Sequence, residues 1–411
     1  MMQIVSPSRQ AYLDWLRIAA ILGVIFFHSA QPFVQDENWH ITNPQRSDLM
    51  SEFNFWLSRF RMPLLFFISG AVSYYMLIKY DGRYFIKQRF LRLMIPLFFG
   101  MLVIVPPQIY LERVNQGYTG SYWQFYPSIF EGKPYPEGNT SWHHLWFILY
   151  LFIYDLISVP LFKWLLFGKG KQFTEQKLGW LGRGKNIYLL MLPSMIVYAA
   201  LILKFPGTNA LVGDWAMLIY FYLFVILGYL IMCNQQLVES MVRNRRFSML
   251  LAFGSLILIN YIRWNDLRPS QTLGESWQSN PLTYLYLSNY PVIAWSWIMM
   301  LVGYAKKYLD RPHRIHQYVN QAIYPYYILH QTIIVILAFY VVKVEESILA
   351  KYLFILGFTL VLCMFFYHIF IRSYNVTRIL FGMKPKKKIK AAEPANELIT
   401  EKPVAPAVKF L

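Results

Sequence analysis

An aspartate, an arginine and a histidine interrupt an otherwise apolar and aromatic run near the start of the chain, which opens Tyr12-Leu13-Asp14-Trp15-Leu16-Arg17 and closes Phe26-Phe27-His28. A charged side chain at membrane depth costs about 2.5–3.5 kcal/mol, so such residues point to a function or to a specific partner. Arg17 and His28 are eleven positions apart. At ~100° and 1.5 Å per residue this is about three turns plus 20°, with a rise of about 16 Å. The two therefore share one helix face at different depths. Asp14, three residues before Arg17, can pair with it. A guanidinium suits an anionic head group, and an imidazole is the side chain that most readily accepts a proton near neutral pH. The alternatives are an Asp14–Arg17 pair snorkelling at the interface and a His28 hydrogen-bonded to a neighbouring helix.

A second constellation is Arg59-Phe60-Arg61-Met62-Pro63 through Ile68-Ser69-Gly70. Its arginines call for an anion or a carbonyl oxygen, and Pro63 with Gly70 implies a bent or closely packed helix. Arg89-Phe90-Leu91-Arg92 sets two guanidiniums three apart, able to hold phosphates or simply to fix topology. Trp142-His143-His144-Leu145-Trp146 offers aromatic faces and hydrogen-bonding groups of the kind that meet a sugar. His330, in Tyr327-Ile328-Leu329-His330, lies near mid-membrane, where a core hydrogen bond competes with catalysis. His368 reads as packing, and His40, His313 and His316 as loop residues. No metal site is expected, since neighbouring histidines cannot share a helix face and the two cysteines, Cys233 and Cys363, form no ligand spacing or disulfide framework.

These side chains need a bilayer to hold them. Of the 411 residues 56% are hydrophobic, 18% aromatic and only 15% charged, which excludes a soluble enzyme. Apolar runs long enough to cross ~30 Å of hydrocarbon predict an all-α, polytopic membrane protein of about ten helices in one bundle. They fall near 11–34, 53–78, 91–110, 143–166, 186–204, 215–233, 247–263, 283–305, 320–342 and 350–372, the first read as a retained helix. The net charge of +18 is distributed between these spans, so it reports topology and not nucleic-acid binding. Basic loops hold Arg83, Lys87, Arg89 and Arg92, then Lys169 to Lys185, Arg243 to Arg246, and Lys306 to Arg314. The alternate loops carry Asp36, Glu37, Asp48 and Glu52, then Glu112, Glu131 and Glu137. Both termini are therefore expected in the cytoplasm. Residues 1–372 form the membrane domain, and 373–411, with the lysines of 384–390, are expected to be a basic, disordered cytoplasmic tail. The outer loop at 111–142 predicts a folded aromatic segment with room for a sugar-like ligand.

Leu13-Asp14-Trp15-Leu16-Arg17 followed by His28, then Arg61 to Gly70, Arg89 to Arg92, His144-Leu145-Trp146-Phe147 and Tyr327-Ile328-Leu329-His330, taken in this order, resemble the membrane-bound acyltransferase family 3. The likeness covers about residues 10–372. It implies a bacterial inner-membrane acyltransferase, transferring groups other than aminoacyl groups, that passes an acyl group from a cytoplasmic donor, usually acyl-CoA, to a hydroxyl of an extracytoplasmic glycan. No cofactor is expected to be permanently bound. By matching position His28 would be the catalytic base and Arg17 a donor-binding residue, with Arg61, Arg89 and Arg92 binding donor or shaping the pore. Asp14 supports the donor end; Arg61, Ser69, His144, Trp146 and His330 are acceptor-side or oxyanion candidates. His28 as a transient acyl carrier stays open, as does the choice between acetyl and succinyl. Two other readings compete: a transporter or flippase of lipid-linked or anionic saccharides, and a non-catalytic scaffold.

Overall fold

The computed structural model describes residues 10–35, 39–311 and 313–386, with the side chain of Gln317 also outside the description. Asp36, Glu37 and most of the lysine-rich tail segment therefore lie outside the described residues. Among the described residues the elements are all helical, apart from one isolated bridge between Pro134 and Thr140. The long helices are α1 (Ala11–Ala30), α2 (Asp48–Lys79), α3 (Gly82–Asn115) and α4 (His143–Leu166). The short α5 (Leu192–Leu201) precedes α6 (Trp215–Cys233), α7 (Gln235–Trp264), α8 (Pro281–Tyr308), α9 (Arg314–Val341) and α10 (Ile348–Ile371).

Among the described residues nine helices, not ten, are long and apolar enough to cross a bilayer. The expected span at 186–204 is instead a 3-10 turn, Asn186–Met191, leading into α5, and it bends by 115° from the preceding Gly168–Gly182. Its length, from about 2.0 Å per residue in the 3-10 part and 1.5 Å in the α part, is still about 27 Å. Apolar counting also clips helices whose ends are polar. The expected 247–263 is the second half of α7, whose first half carries Arg243, Arg245 and Arg246 and continues because Arg, Gln and Glu are good helix formers.

Contacts fix the two ends of the bundle. At one end Lys306 donates to Gln10 (2.9 Å), Tyr12 to Met232 Sδ (3.5 Å) and Asn234 to the Thr174 carbonyl (2.8 Å), while Arg243 reaches the Gly182 carbonyl. At the other Arg263 pairs with Glu52 (2.9 Å), Lys351 donates to Asn43 (2.9 Å) and Trp142 to the Asn209 carbonyl (3.0 Å). With Gly182 at the first end and Asn209 at the second, the segment holding α5 also runs from end to end.

The sides of α7 and α10 are lipid-like: Leu250, Phe253 and Ile257, or Leu353, Phe358 and Val361, are exposed. α2 and α9 are the central helices, with two thirds of their apolar windows buried. Close approach explains Gly70: a Cβ there would meet the Val225 carbonyl oxygen at 1.9 Å, and one at Gly228 would meet that of Phe67 at 2.1 Å. α2 and α6 thus touch backbone to backbone, a contact small residues permit. Beyond α10 the chain does not lose structure at residue 373, because α11 (Asn375–Leu380) folds back and buries Arg378.

Candidate active site

Two cavities open into the bundle from opposite ends. The first, about 340 Å³, lies at the Tyr12 end and is lined by Arg17, Ser69, Arg89, Arg92, Asn320, Tyr324, Arg378 and Lys384, over a floor that includes Ile21 and Leu65. The second, about 390 Å³, is lined by His28, Arg59, Arg61, His144, Trp146, Tyr290 and Tyr327, with Val24 and Met62 at its base. Ile21 and Val24 on α1, like Leu65 and Met62 on α2, are three residues apart. The cavities are therefore separated by about one helical turn, ~4.5 Å of rise.

In the first cavity the Arg17 guanidinium bonds Asp14 (3.3 Å) and the Asn320 amide oxygen (2.5 Å). Asp14 is absent from the cavity lining and serves as a partner of Arg17. Arg89 and Arg92 sit on α3 where it passes through a π-helical turn, Phe90–Met94, and both reach the cavity. Arg89 is anchored by Asp155, at 3.0 Å and fully buried on α4, and by the Ser73 hydroxyl at 2.9 Å. A buried arginine paired in this way holds its direction while the rest of its fork faces the cavity. Four arginines line this cavity, with Lys384 a fifth cation, and such a set suits a multiply charged anion.

At the second cavity the decisive feature is a histidine pair, His28 in its lining and the fully buried His330 outside it. His330 Nδ1 lies 2.6 Å from the Tyr327 carbonyl, which can only accept, so Nδ1 carries the proton and Nε2 the lone pair. His28 Nδ1 stands 2.8 Å from that Nε2 and must donate to it. The His28 tautomer is thereby set, with Nε2 left as a lone pair. His144 Nε2 donates to the Ile328 carbonyl at 3.0 Å, and its ring meets His330 edge-on at 5.1 Å between centroids. The Arg61 guanidinium lies over the Phe27 ring at 3.5 Å, one residue before His28. Trp146 stacks on Phe221 with 5.6 Å between centroids.

The structure thus gathers His28, Arg61, His144, Trp146 and His330 on one side and Arg17, Arg89 and Arg92 on the other. Ser69 departs from expectation: it lines the Arg17 cavity, because eight residues of α2, more than two turns, separate it from Arg61. The loop at 111–142 also departs. It folds around Tyr110, Tyr122 and Phe125 and is pinned by Arg113 to Asn139 (3.0 Å) and Pro136 (2.7 Å), but none of its residues lines the His28 cavity. Sequence reasoning missed Asp155, although a carboxylate within the apolar run Leu151–Val159 carries the same signal as Asp14. It also missed Asn320 and Arg378, whose places depend on how α9 meets α1 and how α11 packs against α3.

Among the described residues, an all-helical bundle with nine long apolar helices and with polar cavities entering from both ends defines a multi-pass membrane protein. Residues 10–368 match the acyltransferase 3 family, described as an acyltransferase domain, and the chain belongs to that family and is an acyltransferase. It is similar to glucans biosynthesis protein C of Salmonella typhi, 24% identical over 403 residues covering 94% of this chain and 98% of the relative. The same-named protein of Salmonella schwarzengrund is 25% identical over equal coverage, and that of Salmonella paratyphi B is 29% identical over 40% of this chain and 41% of its own. No solved structure matches.

Proposed function

We propose that the protein is an integral-membrane O-acyltransferase that moves an acetyl or succinyl group from acyl-CoA to a hydroxyl of an extracytoplasmic glycan, with His28 as general base. The observation that carries this reading is the His28–His330 pair, which leaves one imidazole lone pair aimed into a polar cavity. The Tyr12 end, rich in Lys and Arg, faces the cytoplasm of a bacterial inner membrane, with both termini there. CoA phosphates sit among Arg17, Arg89, Arg92 and Arg378, and its thioester arm crosses the one-turn gap towards His28.

The acceptor hydroxyl enters the second cavity, where Trp146 and Tyr290 offer faces to a sugar ring. His28 Nε2 takes the hydroxyl proton as the oxygen attacks the thioester carbonyl, a step worth about 10²–10⁴-fold. The new C–O bond forms, the charge on the tetrahedral oxygen is met by the Arg61 cation, and the C–S bond breaks to release CoA thiolate. The proton on His28 returns to that thiolate. The names of the relatives, glucans biosynthesis protein C, support a glucan as the acceptor class. The test is purified protein in liposomes, loaded with acetyl- or succinyl-CoA on one side and a β-glucan on the other, read as CoA release with acyl transfer. Sugar movement without CoA release would favour a transporter instead.

A further inference from the structure

Next to the His28 cavity three segments meet at a buried polar cluster that the acyl-transfer chemistry does not use. His40, from the segment before α2, bonds Glu112 near the end of α3, and its ring stacks on His143, at the start of α4, with 4.7 Å between centroids. One ligand atom from each of His40, Glu112 and His143 lies within 4.8 Å of the other two. His40 and Glu112 are buried, 8% and 5% exposed.

The hydrogen bonding leaves an opening for an ion. Glu112 already accepts from the Tyr135 hydroxyl at 3.0 Å. His143 Nδ1 sits 2.5 Å from the Ser141 hydroxyl. Its Nε2 is buried without a hydrogen-bond partner among the described residues, which leaves one ring nitrogen open to a metal while the other is held by a hydrogen bond. His143 is also held at φ 42°, a left-handed backbone conformation uncommon for a side chain of its size. His144, by contrast, turns to the Ile328 carbonyl, so the two adjacent histidines serve different sites.

We propose that His40, Glu112 and His143 bind one divalent transition-metal ion, Zn²⁺ by the chemistry of the donors. Two imidazoles and a carboxylate are a recognised zinc ligand set with a fourth position left for water, and a hard cation such as Mg²⁺ or Ca²⁺ would want more oxygens. Closing the cluster onto an ion at ~2.0–2.2 Å from each ligand atom requires the stacked His40 and His143 rings to tilt apart, and Glu112 exchanges its bond to His40 for the metal. The ion ties three segments together beside Gln331, which approaches His40 at 3.3 Å and neighbours His330. It would thereby stiffen the rim of the His28 cavity without taking part in acyl transfer.

The full chain, purified in detergent with any affinity tag removed and stripped with a chelator, is dialysed against Zn²⁺ and its metal content measured. About one Zn²⁺ per chain is expected in the parent protein and little in His143→Ala or Glu112→Gln. Zn²⁺ should raise Tm by several degrees in the parent only. Co²⁺ titrated into the parent alone should give visible absorption bands that saturate at one equivalent, a readout that does not depend on the variants folding. Absence of saturable Co²⁺ bands, or equal Zn²⁺ retention by parent and a folded His143→Ala, overturns the proposal.

Discussion

His28 donates from Nδ1 to Nε2 of His330 across 2.8 Å, and His330 is itself fixed by the Tyr327 carbonyl one turn earlier on its own helix. The His28 imidazole on α1 is thus oriented by a residue on α9, 302 positions away. His28→Ala should reduce acyl transfer by about 10²-fold or more, with expression and Tm near the parent values. His330→Ala should lower kcat by roughly 10-fold to 10²-fold through misplacement of the His28 ring, leaving the KM for acyl-CoA unchanged. His330→Gln, whose amide can still accept from His28, should recover part of that loss. A folded His28→Ala protein with near-parental turnover would remove His28 as the base.

Arg17 reaches the first cavity from the same helix face, about 16 Å from His28 along α1. Arg17→Ala should raise the KM for acyl-CoA more than it lowers kcat, because an anion is present in both ground and transition states. Arg17→Lys should restore this only in part, since a point charge lacks the planar fork that holds a phosphate through two bonds. Retained donor affinity with lost turnover would place the CoA end elsewhere.

Asp155 balances Arg89 inside the bundle. Asp155→Ala leaves a buried guanidinium unpaired and should cost about 3–5 kcal/mol of stability, visible as a lower Tm and poor yield. Combining Asp155→Leu with Arg89→Met should recover most of that stability while donor affinity stays weak. If thermal melts of Asp155→Leu, Arg89→Met and the double variant were simply additive, the pair would not be coupled.

Single cysteines at Lys171 and Asn209 should report opposite sides of the membrane. An impermeant thiol reagent added to intact cells should label Cys at 209 and leave Cys at 171 until the membrane is opened, since Gly182 and Asn209 bound a segment that runs from end to end. Labelling of both from outside would contradict the orientation.

Much of this site was readable along the chain because a bilayer makes charge conspicuous. Apolar run length set the helix count to within one, and α-helical periodicity alone put Arg17 and His28 on one face of α1. Counting apolar residues could not see that the segment at 186–201 begins as a 3-10 turn, or that α7 extends well before its apolar half, since both depend on backbone hydrogen bonding and not on hydropathy. Which polar groups face each other was decided only by packing. Ser69 went to the Arg17 cavity by helix rotation and rise, and His330 became the partner of His28 because α9 lies against α1. Asp155 found Arg89 across the α3–α4 contact, while the adjacent His143 and His144 parted to two different neighbourhoods. Periodicity places side chains on a helix face; the neighbour that face meets, from a helix hundreds of residues away, is fixed by close packing between helices, which one-dimensional order does not encode.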